Sequence, residues 1–417
     1  MTIKRIKISN FKSFKDIEVE LGNFNVLIGA NASGKSNFIE IFKFLRDITK
    51  SGLNNAISMQ GGCEYLTNIN IGSSKEFSVK IISDQNIKYR SGKTQNRRIG
   101  INTYETIYEF ALRFKKGLEF QITKDILTQK CKFVRLEEEK HSKNVIRIME
   151  KEEIGKGEII LSRGIDEKVN IEIRPKQLAI YKDVMYPLFL REEKLPPKII
   201  LLQTPFFLIP LEMFFSDISV YDFDTKLPKK ATPITGKAEL EENGSNLSIV
   251  LKNIIQDKNK RRKLFNLIQD ILPIIDSINV ENFSDKSLLF NLKEIYSKKY
   301  LPASLISDGT INITALLVAL YFEKKPVAII EEPERNIHPS LISKMTDVMK
   351  DASAKKQILV TTHNLEVVKS AGLENLLLVS RNKDGFSTIS KPTDKKEIMT
   401  FLKNEIGIEE LYIQNLL

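Results

Sequence analysis

The chain has 417 residues, of which 42% are hydrophobic, and a formal net charge of +11 at pH 7. This length suits two or three domains, or one large α/β domain with an insertion, and the apolar content excludes global disorder. The charge would suit a nucleic-acid partner, but a lysine-rich solvated surface accounts for it equally well. The only cysteines, Cys63 and Cys131, lie far apart in the sequence, which excludes a disulfide framework and a C-x-x-C zinc knuckle.

The amino-terminal residues alternate between apolar and polar positions, which predicts two half-buried strands around Ile6–Ile8 and Ile17–Leu21, with a turn over Asn10–Lys15. No apolar segment of signal-peptide length precedes them. The apolar run Ile199–Leu211 is too short to span a bilayer, and we interpret it as buried core. We therefore expect a cytoplasmic protein with no membrane association.

A loop between an apolar strand and an amphipathic helix carries a phosphate-binding pattern. Residues 25–37 read N-V-L-I-G-A-N-A-S-G-K-S-N, which contains G-x-x-x-x-G-K-[ST], and the helical pattern begins near Phe38. Glycines let backbone N–H groups wrap a polyphosphate, and the helix N-terminus adds favourable dipole charge. Lys35 would reach the β- and γ-phosphates, and the Ser36 hydroxyl would ligate Mg²⁺. The predicted nucleotide-binding residues are Gly29, Asn31, Ala32, Ser33, Gly34, Lys35, Ser36 and Asn37.

The middle of the chain changes character twice. Residues 75–175 contain many short alternating segments broken by glycine and polar residues, which predicts a β-rich lobe of antiparallel strands. Residues 247–275 have helical patterning and contain a basic run at 258–263. A solvated helix face is the favoured interpretation of that run, and contact with a phosphate backbone is the alternative.

A short apolar strand, Val327–Ile330, ends in Glu331-Glu332-Pro333-Glu334. This pattern places carboxylates at the carboxyl end of a sheet, where they can lie beside a phosphate loop on a neighbouring strand. There Glu331 can hold Mg²⁺ or its waters, and Glu332 can orient and deprotonate an attacking water.

Two further segments can reach a phosphate. Ser307, the backbone of Gly309 and the N-terminus of the helix Ile311–Tyr321 could together receive one. The apolar strand Gln357–Thr361 delivers His363, which could hydrogen-bond the γ-phosphate or the attacking water. A strand-end histidine with a satisfied ring is the alternative, which the position at the same sheet edge disfavours.

These motifs resemble, in type and order, the ABC-type ATPase heads of the RecF, SMC and OLD groups. They are still more similar to the compact stand-alone ATPases of bacteria and archaea that carry an AAA-type label. The resemblance covers about residues 1–70 and 240–390, and it rests on the following motifs: N-F-K-S-F at 10–14, the Walker A loop, the signature-like S-D-G-T at 307–310, Walker B I-E-E-P-E at 330–334, N-I-H-P at 336–339 and T-T-H-N at 361–364.

The resemblance implies a fold and a domain organisation. The expected fold is an α/β P-loop NTPase of ABC-ATPase head type, with a mixed sheet flanked by helices and a β-rich insertion lobe. The expected domains are the Walker A part of the head at 1–74, the β-rich lobe at 75–200, a helical segment at 201–300, and the remainder of the head at 301–417.

The resemblance also implies a mechanism in which two copies clamp two ATP molecules face to face. Ser307 and Gly309 of one copy would touch the γ-phosphate bound at Lys35 of the other, in a homodimer or higher oligomer. Glu331 would take the Walker B magnesium role, Glu332 the role of general base and His363 that of the switch histidine. The implied ligands are ATP and Mg²⁺, and Lys12 and Ser13 would lie near the nucleotide.

Three substitutions separate the chain from the general ABC pattern and suit the OLD-like branch. Glu331 replaces the usual aspartate, Asp308 replaces the first signature glycine, and His338 stands where the dimer-contacting loop usually has its acid. No convincing switch glutamine is present, and Gln60 and Gln85 are the candidates.

We therefore expect a Mg²⁺-dependent ATPase whose head-to-head dimerisation controls a DNA or effector-protein partner, in DNA maintenance or anti-phage defence. The alternative is a nucleotide-sensing scaffold with negligible turnover. The signature and the β-rich insertion disfavour a transporter subunit. Residues 364–417 suffice for a strand at Leu376–Ser380 and a closing helix, so we expect no Toprim nuclease domain.

Overall fold

The computed structural model of the chain describes residues 1–90, 98–115, 119–142, 145–164, 166–181, 194–204, 211–284 and 286–392. Its contacts form two compact units. Unit 1 comprises Met1–Leu21, Glu40–Asp217 and Arg381–Thr388, and unit 2 comprises Gly22–Ile39, Ile218–Ser380 and the residues from Ile389 on.

The strands and the α-helices of the described residues are numbered separately, each in chain order. The strands are β1 (Thr2–Phe11), β2 (Phe14–Glu20), β3 (Phe24–Ile28), β4 (Phe77–Arg90), β5 (Arg98–Phe114), β6 (Phe120–Ser142), β7 (Val145–Arg163), β8 (Val169–Arg174), β9 (Ile218–Tyr221), β10 (Thr232–Pro233), β11 (Ile275–Ser284), β12 (Ser287–Glu294), β13 (Leu301–Pro302), β14 (Val327–Glu331), β15 (Gln357–Thr362), β16 (Leu376–Arg381) and β17 (Ser387–Ser390). The α-helices are α1 (Lys35–Ser51), α2 (Leu53–Met59), α3 (Cys63–Leu66), α4 (Leu211–Ser216), α5 (Leu247–Gln256), α6 (Lys258–Ile271), α7 (Asp308–Tyr321), α8 (Pro339–Ala352) and α9 (Leu365–Ala371).

Unit 1 is organised on an antiparallel sheet with the strand order β2-β1-β4-β5-β6-β7-β8. The two amino-terminal strands have the predicted alternation, since Ile6 and Ile8 are buried opposite Val19 and Ile17. Their turn is tighter than predicted, because β1 extends to Phe11 and β2 starts at Phe14. The β-rich residues 77–174 form antiparallel strands as expected, and they continue the sheet of β1.

Unit 2 contains the consecutive sheet strands β16-β3-β15-β14-β9. The pairs that join β16, β3, β15, β14 and β9 are parallel. Every residue of β3 and β15 is buried, as their apolar sequences require of strands covered on both faces. Because neighbouring strands are parallel, the loops after β3, β14 and β15 leave from the same edge of the sheet.

The predicted helical segment at 201–300 is wrong over part of its length. Helices α5 and α6 occupy 247–271, but β11 and β12 pair as an antiparallel hairpin over 275–294. The physical reason is the alternation of buried Leu288, Phe290 and Leu292, which has the two-residue period of a strand. The other predicted domain ranges do not coincide with the two compact units and stay predictions.

Some expectations fall outside the described residues: the closing helix after residue 392, part of the apolar run at 205–210, and the side chain of Gln85. Both cysteines are free thiols. In the described ranges, no helix combines the length and the apolar character that crossing a membrane requires.

Candidate active site

The loop after β3 is shaped by close backbone packing. A Cβ atom on Gly29 would lie 2.0 Å from the carbonyl oxygen of Val379 in β16, so no side chain fits at this position. Ala32 and Gly34 have positive φ angles of 60° and 118°. The loop then enters α1 at Lys35, where the backbone N–H of Phe38 donates to the Gly34 carbonyl at 3.0 Å. Sequence and structure therefore agree on a phosphate-loop conformation between β3 and α1.

Lys35 folds back over this loop. Its Nζ donates to the carbonyl oxygens of Gly29 at 2.7 Å and Ala30 at 3.1 Å, and the residue is buried. Burial lowers the pKa of the Lys35 ammonium, and the carboxylate of Glu332 opposes this change. Because the charge of Glu332 acts on the pKa of Lys35, the ammonium group interacts electrostatically with the acidic end of β14.

The acidic end of β14 carries the predicted general base. The backbone N–H of Glu332 donates to the Thr361 carbonyl of β15 at 2.9 Å, and its φ angle of 44° lies in the left-handed region. The Glu332 Oε1 atom lies 3.5 Å from Nε2 of His363. Non-glycine residues adopt this backbone conformation where surrounding contacts enforce it, which is common at functional sites. The strand edge therefore brings Glu332 and His363 together, as predicted.

His363 has an environment that favours its neutral form. Burial lowers the pKa of the imidazole, the positive charge of Lys35 lowers it further, and the Glu332 carboxylate opposes both. A neutral imidazole has one donor and one acceptor nitrogen, so at neutral pH it can hydrogen-bond a phosphate oxygen or a water molecule.

Glu334, the third acid of the motif, has a structural position. Its Oε1 accepts hydrogen bonds from Oγ1 of Thr362 at 2.5 Å and from the backbone N–H of His363 at 3.4 Å. Burial raises the pKa of this carboxyl, and the hydrogen bonds from Thr362 and His363 oppose the rise. Glu334 therefore ties the turn after β14 to the end of β15, where His363 lies.

Ser36 and Glu331 are the predicted metal ligands. Ser36 is exposed in the first turn of α1, and Glu331 is the last, partly buried residue of β14. A hydroxyl and a carboxylate suit Mg²⁺, which prefers oxygen ligands and is usually held by one or two carboxylates together with substrate phosphates. The described residues contain no cluster of three His, Cys, Asp or Glu residues that could form an all-protein metal cage. Ser36 and Glu331 therefore offer oxygen atoms of the kind that Mg²⁺ accepts.

The signature-like segment begins α7. Ser307 is exposed and caps the helix, since its Oγ accepts from the Thr310 backbone N–H at 3.2 Å and lies 2.8 Å from the Thr310 hydroxyl. Asp308, which replaces the usual glycine, pairs with Lys229 at 2.5 Å. The polar groups of this helix start remain partly exposed, which leaves them accessible to a second molecule.

Gly309 has a packing role that the sequence did not indicate. A Cβ atom there would lie 2.6 Å from the carbonyl oxygen of Asn336, in the turn after β14.

We expect Gly309→Ala to lower the free energy of unfolding by about 1–3 kcal/mol, because either α7 or this turn must move. Urea unfolding measures the change, and Gly155→Ala is the control, since a Cβ there meets its nearest atom only at 4.0 Å. Equal stability of the Gly309 variant and the native chain would contradict the packing role.

Asn312 holds the same turn from one helical turn further on. Its buried Nδ2 donates to the carbonyl oxygens of Pro333 at 3.0 Å and Arg335 at 2.7 Å. Asn312 could not be predicted from the sequence, because an asparagine within an apolar helix gives no local signal of a partner 21 residues away. It joins the signature helix to the turn that carries Glu332.

Arg335 is a second residue whose contacts were not predicted from the sequence. Its Nε donates to Oε2 of Glu332 at 2.9 Å, and its Nη1 donates to Oδ1 of Asp222, just after β9, at 2.7 Å. The spacing of Glu332 and Arg335 along one turn was visible in the sequence. Asp222 lies 113 residues away from Arg335 and could not be assigned without the sheet order.

The remaining candidates have contacts within unit 1. The Gln60 side-chain amide donates to Oε2 of Glu40 at 3.1 Å. Ser13 accepts a hydrogen bond from the Ser387 hydroxyl at 2.8 Å. Burial lowers the pKa of the Lys12 ammonium, and the charge of Glu40 opposes this change. Their predicted roles at the nucleotide stay predictions.

Two family models match the chain over most of its length. The model described as an AAA ATPase domain matches residues 1–196, and the model described as AAA domain, putative AbiEii toxin, Type IV TA system matches residues 205–369. Two consecutive parts of the chain therefore match models of AAA-type ATPase domains. These matches agree with the resemblance that the motifs indicated.

Solved structures of SMC heads are similar to this chain. The SmcHead bound to the C-winged helix domain of ScpA aligns with a TM-score of 0.50 and 16% identity, covering 94% of this chain and 98% of that chain. The SMC head domain from Thermotoga maritima aligns with a TM-score of 0.44 and 12% identity, covering 94% of this chain and 99% of that one. The predicted α/β P-loop NTPase fold of head type is confirmed.

One curated protein is similar to a short segment of this chain. Endonuclease GajA of Bacillus cereus (strain VD045) is 41% identical over 56 residues, which is 13% of this chain. The match spans only 10% of the length of that protein, so the similarity concerns a segment and not the endonuclease as a whole.

Proposed function

We propose that this protein hydrolyses Mg²⁺-bound ATP at a site that a second copy of the chain completes, and that this cycle controls a DNA or protein partner. The observation that carries the proposal is the arrangement of Glu332 within 3.5 Å of His363, with Lys35 in electrostatic range of both. A base, a neutral hydrogen-bonding imidazole and a phosphate-binding cation are the groups that phosphoanhydride hydrolysis needs.

Each residue has a defined part in this reaction. Lys35 and the backbone N–H groups of Gly29–Ser36 bind the phosphates, and Glu332 accepts a proton from the attacking water. His363, kept neutral, hydrogen-bonds the water or the γ-phosphate and so orients the attack. A Mg²⁺ ion, for which Ser36 and Glu331 are the proposed ligands, would neutralise phosphate charge.

The second copy would complete the site through the start of α7. Ser307 is exposed there, and the N-terminus of this 14-residue helix favours an anion. Gly309 and Asn312 pack this helix against the turn that carries Glu332. A phosphate bound at Ser307 of one copy would therefore be linked through these contacts to Glu332 of the same copy.

Steady-state phosphate release at saturating ATP tests the proposed activity. We expect turnover with Mg²⁺ and its loss when EDTA removes the metal, because the phosphate charge is then no longer neutralised. Tight ATP binding without phosphate release would instead identify the nucleotide-sensing scaffold.

DNA and an effector protein are the two proposed classes of partner. The basic residues Lys258 and Lys260–Lys263 are exposed at the start of α6, where they add to a net charge of +11. The family models and the SmcHead structure name a toxin system and a protein partner for other proteins, which supports a protein effector here.

Fluorescence anisotropy with a labelled duplex separates these partners. If DNA binds, we expect association at about 50 mM salt and a loss of affinity of at least 10-fold by about 200 mM. Binding releases counterions from the DNA phosphates, and this release becomes less favourable as the salt concentration rises. Replacement of Lys260 and Arg262 by alanine should then weaken binding to all sequences alike. No anisotropy change at about 50 mM salt would remove DNA and leave a protein partner.

A further inference from the structure

A salt-bridged arginine holds one oxygen of the proposed general base. Arg335 lies between two carboxylates, with Nε 2.9 Å from Glu332 Oε2 and Nη1 2.7 Å from Asp222 Oδ1. A guanidinium group is planar and donates in fixed directions, so two such contacts define its orientation and that of the carboxylate it binds.

The far end of this bridge is fixed by the sheet. Asp222 follows β9, whose last residue Tyr221 pairs with Ile330 of β14 in parallel register. The Asp222 backbone N–H also donates to the Glu242 carbonyl at 3.0 Å. Asp222 is therefore held next to β9, the strand that neighbours β14, and β14 leads directly into Glu332.

The near end is fixed by the turn after β14. The Arg335 backbone N–H donates to the Glu332 carbonyl at 3.1 Å, and the Arg335 carbonyl accepts from Asn312 at 2.7 Å. The arginine is thus held through its backbone by the signature helix and through its side chain by Asp222.

The consequence for Glu332 is a defined carboxylate rotamer. Arg335 contacts Oε2, whereas Oε1 is the oxygen that lies 3.5 Å from His363 Nε2. A glutamate side chain at a partly exposed position has several accessible rotamers, and a fixed contact to one oxygen selects among them. The oxygen left toward His363 is the one that would face the attacking water.

We propose that Arg335 is a positioning residue for the general base, and that Asp222 anchors it. The inference rests on the proposed function, because it assigns Arg335 a part in the reaction through Glu332. It concerns the hydrolysis step and not nucleotide binding, since both contacts of the guanidinium are with carboxylates of its own chain.

Steady-state kinetics of Arg335→Ala, Arg335→Lys and Asp222→Asn test this assignment. Arg335→Ala should lower kcat by about 10- to 100-fold, as expected for a misplaced reacting group, and leave KM for ATP within about twofold. Arg335→Lys should retain part of the activity because the charge remains, Asp222→Asn should show a smaller loss, and added guanidinium ion should restore part of the kcat of Arg335→Ala.

Arg174→Ala is the matched control. Arg174 also pairs with a glutamate, Glu172, through Nε and Nη2 at 2.7 and 3.0 Å, but it lies on β8 of unit 1. Its kcat should equal that of the native chain. Thermal unfolding of all variants shows whether a loss of kcat follows from a loss of folded protein.

Several outcomes would overturn the inference. Native kcat in Arg335→Ala, a change in KM alone, or a loss of kcat that parallels a lower Tm without rescue would each show that Arg335 does not position Glu332. No turnover in the native chain would overturn the proposed function and this inference with it. Turnover of Arg335→Ala at the native rate would overturn the inference only.

Discussion

Glu332→Gln is expected to reduce ATP turnover by about 10²–10⁴-fold, the contribution typical of a general base. Glutamine has nearly the same shape, and its amide oxygen can still accept from Arg335, but it cannot accept the proton of the attacking water. The affinity for ATP should change little, because Glu332 faces the water and not the phosphates in the proposed site. Phosphate release and nucleotide titration on the same preparation separate the two quantities.

The control for this substitution is Glu366→Gln. Glu366 is an exposed carboxylate in the first turn of α9, shortly after His363, so it lies near the same sheet edge without touching the proposed centre. Its variant should turn over at the native rate. Native turnover in Glu332→Gln would show that another group is the base and would remove Glu332 from the mechanism.

Lys35→Ala is expected to weaken ATP binding by about 10- to 100-fold and to eliminate measurable turnover. A hydrogen bond to a charged group contributes about 1.5–3 kcal/mol, which corresponds to this range of affinity. Isothermal titration with Mg-ATP measures the binding, and phosphate release measures the turnover.

A folding measurement and a control variant show whether the loss of binding in Lys35→Ala is specific to the nucleotide site. The Lys35 ammonium also contacts the carbonyls of Gly29 and Ala30, so thermal unfolding must show that the loop and its sheet remain folded. Lys43→Ala removes another lysine of α1, which pairs with Glu40 at 3.0 Å, and should bind ATP normally. Unchanged ATP affinity in Lys35→Ala would place the nucleotide elsewhere.

The parts of the fold that the sequence predicted correctly are those with strong local patterns. The apolar runs of β3, β14 and β15 identified buried strands, and Gly29 of the phosphate loop stands where the backbone approaches β16 closely. Each of these signals lies within a few residues of the feature that it predicts. For the same reason, the strand ends carrying Glu332 and His363 could be expected at one edge of the sheet.

The features that the sequence did not predict depend on distant contacts. The hairpin of β11 and β12 was absorbed into a predicted helical segment because it follows two strongly amphipathic helices. The contact of Arg335 with Asp222 requires the adjacency of β9 and β14, which lie about a hundred residues apart in the chain. Gly309 was assigned to phosphate binding alone, although its contact with Asn336 already requires a glycine.

The mass of Glu332→Gln in solution, measured by light scattering with and without Mg-ATP, tests most directly whether a second copy completes the site. We predict a monomer without nucleotide and a dimer with Mg-ATP, because the uncleaved γ-phosphate would be held between Lys35 of one copy and Ser307 of the other. Ser307→Arg added to Glu332→Gln should prevent the dimer while ATP still binds. A monomer at saturating Mg-ATP, with binding confirmed by titration, would contradict the composite site.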